Sequence, residues 1–157
     1  MVLCTECYIQ KDNKTLMLYR NKKKDDINAG KWIGIGGKLL PGESPEECLL
    51  REVMEEAGVT LTEYRLRGFI TFAAKADDGA LIGPMYWFVY TATAFTGEIG
   101  ECDEGTLEWI NNDKLMGLDL WEGDRIHWEI LLSGGGFFSV KYLYRGDRLE
   151  SHSIEIY

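Results

Sequence analysis

The chain has 157 residues, of which 45 % are hydrophobic and 27 % charged, a composition typical of one globular domain with its own core. The formal net charge of −9 argues against a nucleic acid duplex or an anionic membrane as a partner, because both require a basic surface. No apolar run has the character of a signal peptide or approaches the roughly 20 residues of a membrane-spanning helix. We therefore expect residues 1–157 to form a single cytoplasmic domain.

The first predicted elements are two strands joined by a tight turn. VLCTECYIQ (2–10) and TLMLYR (15–20) have the composition of strands, and DNK between them indicates a hairpin. A polar, basic loop, NKKKDDINAGK (21–31), then leads into WIGIGGK. The glycines of that segment indicate close approach of the backbone or positive φ.

A helix is predicted to begin at Ser44. Ser44 is a favourable N-cap, Pro45 suits the first helical position, and Glu47 completes a capping box. Gly58 supplies the stop at the C-terminal end.

The rest of the chain predicts strands at 65–74, 85–95 and 107–110, a helix at 124–132, and a final hairpin that turns at 145–147. We therefore expect an α+β fold with a mixed, mostly antiparallel sheet and two helices.

The four cysteines raise the question of a zinc or redox site, because Cys4 and Cys7 are spaced as CxxC. A zinc site needs a second pair, and Cys48 and Cys102 are isolated in the sequence. Residues three apart on a strand also point to opposite faces. We interpret all four as small apolar residues of a reduced protein.

The predicted helix at Ser44 has an unusual concentration of carboxylates. Glu52, Glu55 and Glu56 share one strip of it, where like charges repel by about 0.2–0.5 kcal/mol per pair. The last two lie at the end that the helix dipole makes unfavourable for acids, and Arg51 is the only cation nearby in the sequence. A solvated face is the ordinary explanation, but this charge placement favours a bound Mg2+ or Mn2+ ion.

The segment 37–59, GKLLPGESPEECLLREVMEEAGV, matches the pattern Gx5Ex7REUxEExGU at every fixed position, U being a bulky aliphatic residue. This pattern resembles the signature of the Nudix hydrolases, the Nudix box. The resemblance implies the Nudix fold, an α/β/α sandwich with a mixed β-sheet and the loop and helix of the box. It also implies a hydrolase of nucleoside diphosphates linked to another moiety, with Mg2+ as cofactor, for which Mn2+ can substitute.

Roles within the box follow from the same resemblance. Glu52, Glu55 and Glu56 would bind metal or activate water, the first and last binding metal more surely, and the Gly37 carbonyl would be a further ligand. Arg51 and Glu43 would form an internal pair that orients the loop, and Gly58 would end the helix.

Outside the box, Glu104 is a candidate to join the metal site, against the alternative of a solvated acidic loop. The candidate catalytic residues are Glu55, Glu56 and Glu104, and the choice of general base stays open because it differs between family members.

Two further segments, AGKWIGIGGK and LWEGDRIHWEILL, resemble the MutT-like oxidised purine nucleoside triphosphatases. The resemblance implies attack of water on the β-phosphorus of a nucleoside triphosphate such as 8-oxo-dGTP, giving a monophosphate and pyrophosphate. Trp121 matches the residue that stacks on the purine, and Asp124 matches the second of two aspartates that read it. A core tryptophan is the alternative for Trp121.

Two departures from that subgroup remove polar groups that would read the base. Ile33 takes the place of an asparagine, and Gly123 takes the place of the first aspartate. Lys23 is a candidate contact of the triphosphate or ribose, or else an ordinary surface lysine.

Three hypotheses therefore stay open. The first is the triphosphate pyrophosphohydrolase just described. The second is a Nudix hydrolase of another substrate, such as a nucleotide sugar or a dinucleoside polyphosphate, and the third is a non-catalytic nucleotide sensor. In each case the expected partner is a small-molecule nucleotide, and the expected assembly is a monomer or homodimer.

Overall fold

Eight strands form one mixed sheet in the computed structural model, which describes residues 1–157. The strands are β1 (Val2–Lys11), β2 (Lys14–Tyr19), β3 (Trp32–Ile33), β4 (Thr60–Lys75), β5 (Leu81–Thr96), β6 (Thr106–Asn111), β7 (Phe138–Arg145) and β8 (Arg148–Ile156). The helices are α1 (Pro45–Ala57) and α2 (Glu122–Leu132), and a short 3-10 helix covers Asn112–Gly117.

The sheet has the order β3-β2-β1-β5-β4-β7-β8, and β6 pairs with β2. The pairs β1 with β5 and β4 with β7 are parallel, and the others are antiparallel. The sheet is therefore mixed and mostly antiparallel, as the sequence predicted.

The two helices cover opposite faces of the sheet, because side chains alternate along β1. Ile9 belongs to a core cluster with Leu49 and Val53 of α1. Tyr8 points the other way, into a second cluster with Trp128 of α2. This arrangement confirms the predicted α/β/α sandwich.

Local contacts define both ends of α1. The Glu47 N–H donates to the Ser44 hydroxyl (3.1 Å), and the Ser44 N–H donates to the Glu47 carboxylate (2.8 Å). Pro45 is the first helical residue, and Gly58 takes a φ of 75° while its N–H donates to the Met54 carbonyl. The predicted capping box and helix stop are confirmed, and they fix where the acidic strip of α1 lies.

The two long central strands extend beyond their predicted bounds. β4 and β5 have 16 residues each, whereas the composition predicted 65–74 and 85–95. Four register shifts interrupt the pairing of β4 with β5. At such shifts the alternation of side chains between the two faces is broken, so the sequence pattern suggests that a strand ends although it continues. The final hairpin is confirmed, with β7 and β8 joined at Gly146 and Asp147.

The four cysteines are buried and form no disulfide, and their interpretation as small packing residues stays a prediction. None of the helices is both long enough and apolar enough to cross a membrane.

Candidate active site

The glycine-rich segment 34–37 lies directly beside β1. The Thr5 N–H donates to the Gly37 carbonyl at 2.9 Å. A Cβ added at Gly36 would lie 2.0 Å from the Thr5 carbonyl oxygen. Only glycine permits this approach, which explains the glycine density seen in the sequence.

Alternate amides of this segment bind two carboxylates on opposite faces of the sheet. The Gly36 N–H donates to Glu56 of α1 at 3.2 Å. The Gly34 N–H donates to Glu6 of β1 at 3.1 Å. Because Glu6 is two residues from Tyr8 on the strand, it lies on the face that α2 covers. The segment therefore connects the acidic strip of α1 with the α2 side of the sheet.

Glu56 is the buried member of the acidic strip, with 7 % of its surface exposed. Burial, and then the nearby carboxylate of Glu104, raise the pKa of Glu56 to about 8. Burial also acts to raise the pKa of Glu104, but Lys23 and Arg20 outweigh it and lower that pKa. The Lys23 ammonium lies 2.6 Å from Glu104, and Arg20 forms a second ion pair with it.

Arg51 joins the loop of the box to its helix. Its guanidinium donates two hydrogen bonds to Glu43, at 2.7 and 2.9 Å, and a third to the Lys38 carbonyl at 3.1 Å. The pKa of Glu43 is lowered to about 2 by these bonds from Arg51. Arg51 also lies 2.6 Å from Glu52 and 3.4 Å from the exposed Glu55.

Arg51 lies within ion-pair distance of two of the three carboxylates of the acidic strip. Its single positive charge is shared among Glu43, Glu52 and Glu55, so it balances only part of their negative charge. No salt bridge reaches Glu56, which has a second carboxylate, Glu104, beside it instead. Glu56 is therefore the member of the strip that has no cation of the protein beside it.

No group of three or more His, Cys, Asp or Glu side chains is arranged in the structure to hold a metal ion. The predicted ligands nevertheless lie in neighbouring positions. Glu52 packs against Gly37, where an added Cβ would lie 2.5 Å from its carboxylate, and Glu104 faces Glu56. All of these donors are oxygens, which Mg2+ and Mn2+ prefer. The donor atoms of these residues therefore suit Mg2+ or Mn2+. That they bind one ion together stays a prediction.

Trp121 is held at the start of α2 by the polar loop 21–31. Its indole N–H donates to Asn28 at 2.8 Å, and the Lys31 ammonium lies 5.3 Å from the centre of its ring. Tyr144 contacts the ring edge to face. The ring is half-buried, so it can both pack against the core and present a surface for stacking.

Asp124 follows in the first turn of α2 and is half-buried, yet no protein group donates a hydrogen bond to its carboxylate. Ile33 lies in the short strand β3, half-buried and paired with Leu18. Packing explains why residue 123 is a glycine, because a Cβ there would lie 2.9 Å from the Tyr144 hydroxyl. An aspartate at that position would therefore clash.

Sequence reasoning missed Glu6, Arg20 and Asn28 as members of this region. Glu6 is the only charged residue of VLCTECYIQ, and an isolated charge in a buried strand is a signal that the sequence does offer. Arg20 and Asn28 carry no such signal, because their partners Glu104 and Trp121 are 84 and 93 residues away.

Residues 5–132 match the family model of the NUDIX domain. The chain belongs to the Nudix family. The matched range contains the segment 34–37, the whole of α1, Glu104 and Trp121, so every candidate residue of the site lies within the family domain.

Relatives of known family cover most of the chain. It is 29 % identical over 141 residues to the Nudix hydrolase YvcI of Bacillus subtilis, covering 89 % of this chain and 85 % of that one. It is also 29 % identical over 133 residues to the oxidized purine nucleoside triphosphate hydrolase of Danio rerio, covering 85 % and 83 %.

A solved structure agrees with the Nudix fold over nearly the whole chain. The crystal structure of a MutT protein from Bacillus halodurans superposes with a TM-score of 0.88 at 27 % identity, covering 99 % of this chain and 98 % of that one. Together with the family match, this confirms the predicted fold and a hydrolase of phosphorus-containing anhydrides. Nudix hydrolases act on small nucleotide substrates and generally use divalent cations.

Proposed function

We propose that this Nudix protein is a Mg2+-dependent pyrophosphohydrolase that converts an oxidised purine nucleoside triphosphate, such as 8-oxo-dGTP, to the monophosphate and pyrophosphate. The main support is the buried Glu56 carboxyl group, which lies beside the carboxylate of Glu104 and accepts a hydrogen bond from the N–H of Gly36, next to Gly37. A divalent cation stabilises the ionised forms of both carboxyl groups, and a triphosphate is the kind of substrate that needs one.

Each residue of the site has a role in this proposal. Glu52, Glu56, Glu104 and the Gly37 carbonyl would hold Mg2+, which when bound neutralises phosphate charge and makes a water more acidic. Glu55 is 58 % exposed at its side chain and accepts a proton from the attacking water. Water attacks the β-phosphorus, and the bond between the α- and β-phosphates breaks.

Two basic residues assist without touching the reacting phosphorus. Arg51 holds the loop against α1 through its paired bonds to Glu43, which fixes the Gly37 carbonyl relative to Glu52. The side chain of Lys23 is 54 % exposed, so its ammonium group can leave Glu104 and bind a phosphate of the substrate.

On the nucleoside side, Trp121 supplies a flat surface for the base, and Asp124 supplies a hydrogen-bonding group at its edge. The name of the Danio rerio relative supports an oxidised purine as the base.

The test is product analysis by chromatography with purified protein, Mg2+ and a panel of 8-oxo-dGTP, 2-oxo-dATP, the four normal dNTPs, ADP-ribose and a nucleotide sugar. We expect the highest kcat/KM for an oxidised purine triphosphate, with monophosphate and pyrophosphate as products. Preference for ADP-ribose or the nucleotide sugar would contradict the triphosphate assignment. Nucleotide binding without turnover would indicate a sensor.

Replacing Trp121 by alanine should lower kcat/KM for every base by a similar factor. Stacking contributes about 1–3 kcal/mol per base and tolerates all of them, so the loss should be roughly 5- to 150-fold. Trp121→Phe is the matched control, because it keeps a stacking face and should retain most activity. If the alanine variant loses thermal stability but keeps its kcat/KM, Trp121 is a core residue rather than a substrate contact.

A further inference from the structure

Glu6 is a buried charged residue that the catalytic scheme above does not use. It is 9 % exposed and lies on the α2 face of β1, where its neighbours two residues away are Cys4 and Tyr8. The Gly34 N–H donates to its Oε1 atom at 3.1 Å. Burying a carboxyl group on an apolar face is costly, so its presence calls for a role beyond packing.

Asp124 lies on the helix that packs against this face, one turn before His127, whose Nε2 lies 2.9 Å from the hydroxyl of Tyr8, two residues along β1 from Glu6. Burial, and then the charge of Glu6, raise the pKa of Asp124 well above its usual value. No salt bridge reaches either side chain, and Lys31 and Arg125 only partly offset the charge at Asp124. When one of two such carboxyl groups is protonated and the other is ionised, the pair offers one hydrogen-bond donor and one acceptor.

The side chains between β1 and α2 on this face supply no cation. The Tyr8 hydroxyl lies 2.9 Å from His127 Nε2, and the Tyr142 hydroxyl lies 3.2 Å from His127 Nδ1. Burial lowers the pKa of His127 to about 3, so this imidazole is neutral. Asp124 is thus a carboxyl group without a hydrogen-bond donor, and its own N–H donates to the carbonyl of Trp121 at 3.0 Å.

We propose that Glu6 is a specificity-determining residue, which together with Asp124 reads a base edge where an N–H donor lies beside a carbonyl group. The six-membered ring of guanine has such an edge. This inference rests on the proposed function, and it explains how the site manages without an aspartate at Gly123. That position is closed by Tyr142 and Tyr144, and β1 supplies the second carboxyl group from the other side.

The experiment compares the wild-type protein with Glu6→Gln in the presence of Mg2+. The substrates are 8-oxo-dGTP, its N1-methyl derivative, which lacks the N–H donor, and a deoxyribose triphosphate without a base. Glu63→Gln is the control variant, since it removes a carboxylate from an exposed part of β4. Glu6→Met keeps the length of the side chain without an acceptor and is the second variant if the first does not fold.

We expect the wild type and the control to lose about tenfold or more in kcat/KM on N1-methylation, because a hydrogen bond to a charged group is lost. The Glu6 variants should already have this lower kcat/KM with unmethylated 8-oxo-dGTP, and N1-methylation should lower it little further. Their kcat/KM for the triphosphate without a base should equal that of the wild type.

Two results would overturn the proposal in distinguishable ways. An equal loss on all three substrates in the Glu6 variants would show that Glu6 only supports the fold, while the proposed hydrolysis stands. No turnover of any triphosphate by the wild type would remove the proposed function, and the role of Glu6 with it.

Discussion

Replacing Glu56 by glutamine should make the protein more stable at alkaline pH and almost inactive. Glu56 is buried beside Glu104, and the two carboxyl groups repel each other once both are ionised. The glutamine oxygen can still accept from the Gly36 N–H, and its amide group can donate to Glu104. The substitution therefore removes a buried charge while both hydrogen-bonding positions stay satisfied.

The gain in stability should depend on pH. Burial and Glu104 raise the pKa of Glu56 from 4.5 to about 8, so between these values the folded protein keeps a proton that the unfolded chain releases. The free energy of unfolding of the wild type therefore falls as the pH rises through this window. Above it the cost amounts to about 4–5 kcal/mol, which corresponds to a melting temperature lower by roughly 10–20 °C.

Thermal unfolding at pH 4.5 and pH 8.5, without and with Mg2+, measures this effect. The variant should gain stability over the wild type at the higher pH only, and Mg2+ should stabilise the wild type more than the variant. Glu55→Gln is the matched control, because it removes a neighbouring carboxylate that is exposed and should leave the melting temperature nearly unchanged.

Activity is the second readout for Glu56. The variant should lose about 100-fold or more in kcat, because a residue of the cation site loses its charge. Full Mg2+-dependent activity would contradict the role of Glu56 in holding the metal. A melting temperature that falls equally at both pH values would contradict the repulsion between the two carboxyl groups.

What the sequence predicts correctly about α1 depends on contacts between close neighbours. The capping box joins Ser44 to Glu47, three residues apart, and the stop at Gly58 depends on one glycine with positive φ. Arg51 and Glu43 are likewise eight residues apart in one motif. Such short-range contacts are specified by local spacing, so a pattern is enough to find them.

Contacts made by the sheet topology lie beyond local spacing. Arg20 reaches Glu104 across 84 residues, and Gly34 reaches Glu6 across 28. Local spacing therefore does not reveal that Arg20 and Lys23 pair with Glu104. The replacement at Gly123 also looks like a simple loss of a polar group until Tyr142 and Tyr144 are seen to fill the space.

Alanine at Gly37 should abolish most activity and leave the fold intact, whereas alanine at Gly36 should destabilise the fold. At Gly37 the new Cβ would lie 2.5 Å from the carboxylate of Glu52, the end of a flexible side chain that can move away. That movement displaces a predicted metal ligand. We expect a loss in kcat of about 100-fold with a change in melting temperature of roughly 4 °C or less.

At Gly36 the new Cβ meets backbone that cannot give way, 2.0 Å from the Thr5 carbonyl oxygen. The segment would have to leave β1 and break the hydrogen bond from the Thr5 N–H to Gly37, at a cost of about 3 kcal/mol or more. Gly117→Ala is the control, since no heavy atom lies within 4 Å of its Cβ position. Circular dichroism melts and kcat for all three variants separate the two effects. Similar melting temperatures for the Gly36 and Gly37 variants would mean that the segment does not depend on its contact with β1, and the link it forms between Glu56 and Glu6 would then be flexible rather than fixed.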